Sequence, residues 1–268
     1  MSEDKNPREY WLLQYDGDAF IYESLDEFPP DGDKSLLVHV REVIDETKQA
    51  DTSTQKYEFT GETKYIHNCT VRQIRRISGG EVGGWIESDK NLSHEGDCWI
   101  GDNAWVFGDA LVCGDALVYD NALVCGNAKV FRNSRVFGDA LVSGDAKVYG
   151  NAKVSGDAKV FRNSRVYGDA KVSGDAWVFG NALVYGDANV CGNAKVSGDA
   201  NVSGDALVCG DALVYGNAKV SDNAKVFRNS RVYGDAKVSG DALVSGDANV
   251  CGNAIISSNV RVFGCEGA

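Results

Sequence analysis

The chain has 268 residues, with 39 acidic and 27 basic side chains and a formal net charge of −12. That balance argues against a general binder of the phosphate backbone. No apolar run is long enough for a signal peptide or a membrane span, and eight cysteines without zinc-type CxxC pairs fit a reduced, cytoplasmic chain.

In chain order, "YWLLQY" and "DGDAFIY" read as two strands joined by a turn. "SLLVHVREVIDETK" reads as a strand that runs into a helical turn. "KYEFTGETKYI" and "TVRQIRRI" read as a further strand pair. The expectation is a small mixed α+β domain over residues 1–56 and a β-rich cap and lead-in over 57–96. A hexapeptide-repeat array over 97–264 and a short tail over 265–268 complete the chain. Every Pro and every Thr lies before residue 71, which marks a compositional boundary. Charge is also uneven: residues 97–268 hold 19 acids and 16 bases, so the N-terminal part is the acidic one.

From Asp97 to Gly264 the sequence divides into 28 hexads without insertion, with the consensus [D/N]-A-x-V-x-G. A fixed short period outranks local propensity. Ala and Val, two apart, share the inner side of a strand, and the residues beside Val point outward. Gly-Asp or Gly-Asn turns the corner, because both tolerate left-handed backbone. Three hexads then close one triangular coil, so residue i lies under residue i+18. Coils stacked at ~4.8 Å through parallel hydrogen bonds predict about nine coils in a rod roughly 45 Å long. Each buried Val contributes about 1.5–3 kcal/mol relative to exposure.

The repeat resembles the hexapeptide-repeat, left-handed β-helix superfamily. The junction "GGEVGGWIESDKNLSHEGDCWIGDNAWV" is similar to the lead-in of YdcK-like bacterial proteins and related phage-encoded proteins. The likeness covers about residues 57–268. It implies the left-handed coil and brings no settled activity.

The first coils carry apolar residues at outward positions: Trp99, Trp105, Phe107, Leu111, Leu117 and Leu123. These predict a covered wall. The N-terminal domain is the expected cover, with a homo-oligomer contact and a ligand groove as alternatives. At the far end Ile256 and Val260 replace smaller consensus residues and are expected to plug the core. The strand edge there stays open, which predicts end-to-end pairing of two C-terminal coils or burial by a partner.

Many proteins with this repeat are acyltransferases that use acetyl-coenzyme A, a His base and loops inserted between hexads. This chain has His39, His67 and His94, none within the array, and no inserted loop. His94, in "NLSHEG", is the one weak catalytic candidate, and a junction histidine bonding backbone is the plainer reading. A zinc site of three facing histidines has no residues to form it, and no Thr ladder for ice binding exists. Asp at the corners is read as turn chemistry, with Asn diluting the stacked charge, rather than as calcium ligation. No metal and no cofactor are expected. Cys191 and Cys209, 18 apart, are predicted neighbours. Phe131, Tyr149, Tyr167 and Tyr185, also 18 apart, are predicted to stack as a ladder or to form a partner-binding strip.

The octapeptide "KVFRNSRV" occurs at 129–136, 159–166 and 225–232. Arg replaces the corner Gly, Ser replaces Ala, and a second Arg takes the middle position. The copies are 30 and 66 residues apart, and neither spacing is a multiple of 18, so they project from three walls and form no common site. Their arginines are expected to pair with neighbouring Asp. The reading of the whole is a non-enzymatic scaffold that binds a protein, in the manner of a phage or prophage accessory protein acting on a host protein. An acyltransferase-like enzyme using acetyl-coenzyme A is the alternative. Nucleic acid and membrane are argued against.

Overall fold

A computed structural model describes residues 9–15, 18–22, 37–41, 55–66 and 68–264. The chain divides into two compact units, Met1–Ser53 and Thr54–Ala268. In the first, β1 (Glu9–Tyr15) lies between β2 (Asp18–Tyr22) and β3 (Leu37–Arg41), antiparallel to both. The helical turn expected after Arg41 falls outside the described residues.

The second unit is an all-β parallel solenoid. Each hexad contributes one short strand, from β7 (Trp99–Ile100) to β34 (Arg261–Phe263), and every third strand shares a wall. The first wall begins at Trp99–Ile100. The second contains β8 (Trp105–Val106), and the third begins at β9 (Leu111–Val112). The 18-residue register follows, as in Lys129 beside Lys147 and Val130 beside Val148. Strands this short persist because all but the terminal ones pair on both sides, and nearly every hexad places an Ala and a Val in the tube. These side chains are fully buried from Ala104 to Val244. The corners take the left-handed conformation that glycine adopts without penalty, for example φ 75° at Gly150.

The solenoid begins before the first regular hexad. Strands β4 (Tyr57–Ile66), β5 (Cys69–Arg76) and β6 (Val82–Ile86) form an antiparallel extension of the second wall, giving a 12-stranded sheet. The last of them runs parallel to β8, with Ile86 beside Val106. Leu92 bridges to Val112, and Ile100 lies beside Val118. The lead-in is therefore already a coil, lengthened by two residues between Leu92 and Ile100. Gly83 and Gly84 let it sit close. A Cβ on either would come within 2.6 Å of Ile100 O or 2.5 Å of Ala104 O.

The cap fills the tube mouth with larger side chains than the Val and Ala of the array. Ile74, Ile86, Leu92 and Ile100 are all fully buried. Asn91, also buried, closes the polar edge. Its Oδ1 accepts from the Glu87 and Ser88 amides, and its Nδ2 donates to Gly108 O and Ala110 O, each at 2.9 Å. All four hydrogen-bonding positions of that side chain are used, which is why a buried amide is tolerated.

At the other end the expected plug is not formed. Among the described residues, β32 (Asn249–Val250), β33 (Ile255–Ile256) and β34 are the edges of their sheets. Val260 is 46% exposed and Ile256 is half-buried, so their extra bulk does not close the tube. Among the described residues, no further coil packs against these positions.

Candidate interaction surface

His94 belongs to the cap junction. Its ring stacks on Tyr57 at 4.4 Å, and its Nδ1 accepts the Lys56 amide at 3.4 Å. The Lys56 ammonium donates to Cys98 O at 2.8 Å, and the Tyr57 hydroxyl donates to Leu92 O at 3.2 Å. Burial, and then the Asp89 carboxylate, push the Tyr57 phenol well above its ordinary range. Both faces of this arrangement are structural: ring on ring, and nitrogen on backbone.

The apolar residues of the first coils are covered in part from within their own unit. The Arg76 guanidinium lies 4.2 Å above the buried Trp99 ring. Lys64 of β4 lies 3.9 Å above Trp85 and 5.3 Å above Trp105, and the two indoles stack at 6.0 Å. For Trp99 and Trp105 the β4–β6 extension supplies this cover. Leu117 packs against the core, and Phe107, Leu111 and Leu123 are half-buried. A shallow depression beside Trp99 is lined by Arg76, Leu117 and Tyr119.

The rings on the third wall stack in register. Phe131 and Tyr149 lie 4.8 Å apart, Tyr149 and Tyr167 4.9 Å, and Tyr167 and Tyr185 4.9 Å, all within 7° of parallel. Similar pairs occur at Phe161–Phe179 and Tyr215–Tyr233. Because the rings cover one another, they present edges and hydroxyls to solvent. Trp177 on the second wall differs. It stands between Lys159 and Lys195, whose ammonium groups lie 4.9 and 5.0 Å from its ring, and it meets Phe161 edge-on.

The corners are organised by hydrogen bonds. Asn121 donates to Asp139, Asn127 to Asp145 and Asn217 to Asp235, each 18 residues on and between 2.8 and 3.0 Å. Asn thus does more than dilute charge: it supplies the donors that carboxylates stacked on carboxylates lack. The Cys191 and Cys209 thiols are hydrogen-bonded neighbours. Burial, then Cys209, push Cys191 up to about 11.

The three octapeptides are corner variants in the structure also. Arg132, Arg162 and Arg228 occupy the left-handed position, with φ of 62°, 63° and 62°. Ser134, Ser164 and Ser230 are buried in the Ala slot, and each hydroxyl donates to the carbonyl three residues back at 2.9 Å. The expected pairing with Asp does not form at Arg132, Arg135, Arg162 or Arg165. Ion pairs do form in the cap region, at Arg75–Glu58 and Arg76–Glu81. Near these arginines Asp145 is engaged instead by Asn127, and Asp115 by the Asp97 amide, and the left-handed corner at Arg132 sends its side chain over the following coil. The Arg132 guanidinium accordingly lies 6.0 Å from the Tyr149 ring.

Sequence reasoning found the ring ladder and the neighbouring Lys129, Lys147 and Arg165, but missed the second column, Arg135, Lys153 and Lys171, and the absence of ion pairs at either column among the described residues. The signal was present: Arg135, Lys153 and Lys171 are also 18 apart. In comparisons with known proteins, no family model and no curated protein matches the chain.

Proposed function

We propose that this chain is a non-enzymatic β-helical scaffold that binds another protein through the outer faces of its walls. The observation that carries this reading is the placement of chemically distinct groups. Cations, stacked rings and Trp177 lie in columns on uninterrupted flat walls, while the interior is filled by Val and Ala. Ordered aromatic and cationic side chains on a rigid support are the usual material of protein interfaces. The resemblance of the lead-in to phage-encoded proteins extends the proposal to an accessory protein that binds or inhibits a host protein. No helix among the described residues is long and apolar enough to cross a membrane.

The test is chemical cross-linking of the full chain in a bacterial extract, with the captured protein and the linked residues identified by mass spectrometry. The reading expects links from wall residues to one partner that then binds the purified chain. The acyltransferase alternative is tested by calorimetry with acetyl-coenzyme A. Saturable binding that His94→Ala abolishes would replace the scaffold reading.

A further inference from the structure

We propose that the corner between the third and first walls, over residues 129–171, is a docking surface for an acidic segment of a partner protein. This rests on the protein-binding reading and specifies the chemistry of the partner. On the third wall Lys129, Lys147 and Arg165 follow one another in register on successive coils. On the adjoining first wall Arg135, Lys153 and Lys171 do the same. Arg132 stands exposed on the corner between them. Where that corner usually carries a carboxylate, the same two coils carry Asn133 and Asn151. None of these cations forms an ion pair with a carboxylate among the described residues. Residues 129–171 hold nine bases and four acids in a chain whose net charge is −12. Like charges directly opposite on neighbouring strands repel, and no ion pair among the described residues offsets that repulsion.

The ring ladder runs between the two columns and adds to their preference for anions. Phe131, Tyr149 and Tyr167 stack face to face at 4.8 and 4.9 Å, so their electropositive edges and the tyrosine hydroxyls point outward. Apart from Asp169, an exposed carboxylate on the corner of the third coil that accepts from Asn151, every group on the strip is then a cation, a donor or a ring edge. An extended acidic segment places same-side carboxylates roughly 6.6–6.8 Å apart, so two or three of them span the three coils.

Nucleic acid fits less well. The ring faces are taken, which leaves no platform for base stacking. A longer polyanion would also continue past the patch onto acidic surface, where Asp139, Asp157 and Asp175 stand exposed one above another on the far corner of the first wall. A short acidic segment needs the local patch alone.

The test is fluorescence anisotropy with the full chain and two labelled probes, a decapeptide of alternating Asp and Glu and a single-stranded oligothymidylate. The peptide is expected to bind in a salt-dependent manner. The double variant Lys147→Glu/Lys153→Glu is expected to weaken it by at least about tenfold. Lys219→Glu/Lys237→Glu, further along the third wall, is expected to leave it within about twofold. Circular dichroism and thermal melting establish that both variants fold. If the first does not, Lys147→Gln/Lys153→Gln takes its place, with a loss of about threefold expected. Absence of peptide binding, equal loss in both variants, or tighter binding of the oligothymidylate would overturn the proposal. A cross-linked partner whose links lie on other walls would overturn this location and leave the scaffold reading standing.

Discussion

The side-chain amide of Asn151 donates to the carboxylate of Asp169, one coil further on, at 2.9 Å. Asn133 donates in turn to Asn151, so two coils of amide lead into one of carboxylate. The same corner continues as Asp169, Asp187 and Asp205, three acids without an intervening donor. Two substitutions separate these situations. Asn151→Asp removes a donor and sets a second charge beside Asp169, and is expected to lower stability by about 1 kcal/mol. Asp187→Asn supplies a donor and removes a repulsion, and is expected to raise stability by about 0.5 kcal/mol. Thermal unfolding at low salt measures both. The reverse order of melting temperatures would remove hydrogen bonding from the account of the corners.

Arg132, Arg162 and Arg228 hold a backbone conformation that costs a side chain about 1–2 kcal/mol, partly offset by the entropy glycine loses on folding. Replacing any one of them with Gly is therefore expected to stabilise the rod, by up to about 1 kcal/mol. Denaturant unfolding at constant m-value reads the change. A loss of stability at Arg132→Gly would mean that the guanidinium makes a contact worth more than the strain.

Tyr57 joins the start of β4 to the lead-in coil through Leu92 and Asp89. Tyr57→Phe is expected to cost about 1 kcal/mol, the worth of a buried hydrogen bond. The pH dependence has a definite sign. Burial, and then the Asp89 carboxylate, hold the phenol protonated in the folded chain well above the ordinary tyrosine value of about 10. Its contribution is thus fully present below pH 10 and is lost as the unfolded chain ionises above it. The variant should lose less stability than the parent between pH 10 and pH 11, measured by urea unfolding at each pH. Equal losses would place Tyr57 outside this linkage.

The hexad made the array legible, because Ala and Val two apart, with Gly at the corner, admit one coiled arrangement. The lead-in was harder to read. Leu92 and Ile100 occupy core positions, but eight residues separate them, and that breaks the period before the coil itself ends. Asn91 gave no signal either, since its value lies in four hydrogen bonds to two separate segments, 87–88 and 108–110. The outer surface was partly legible. The ring ladder emerged from 18-residue spacing, whereas the octapeptide drew attention to sequence copies that the coil separates. Lys147 and Lys153 belong to no octapeptide, yet they stand beside the first copy's arginines on the same two walls.

Every statement about the outer surface depends on residues 18 apart being neighbours, and Cys191 and Cys209 report that directly. Both thiols are half-buried on the first wall, and Cys191, held up to about 11, reacts faster as the pH rises. Mild oxidation of the monomer at alkaline pH, followed by peptide mapping, is the decisive measurement. The account predicts a Cys191–Cys209 disulfide in the full chain, and none in a chain lacking the single hexad 195–200, which moves the two thiols onto different walls. Cys191 bonded to a different cysteine, or a Cys191–Cys209 bond that survives the hexad deletion, would contradict the register and the surfaces built on it.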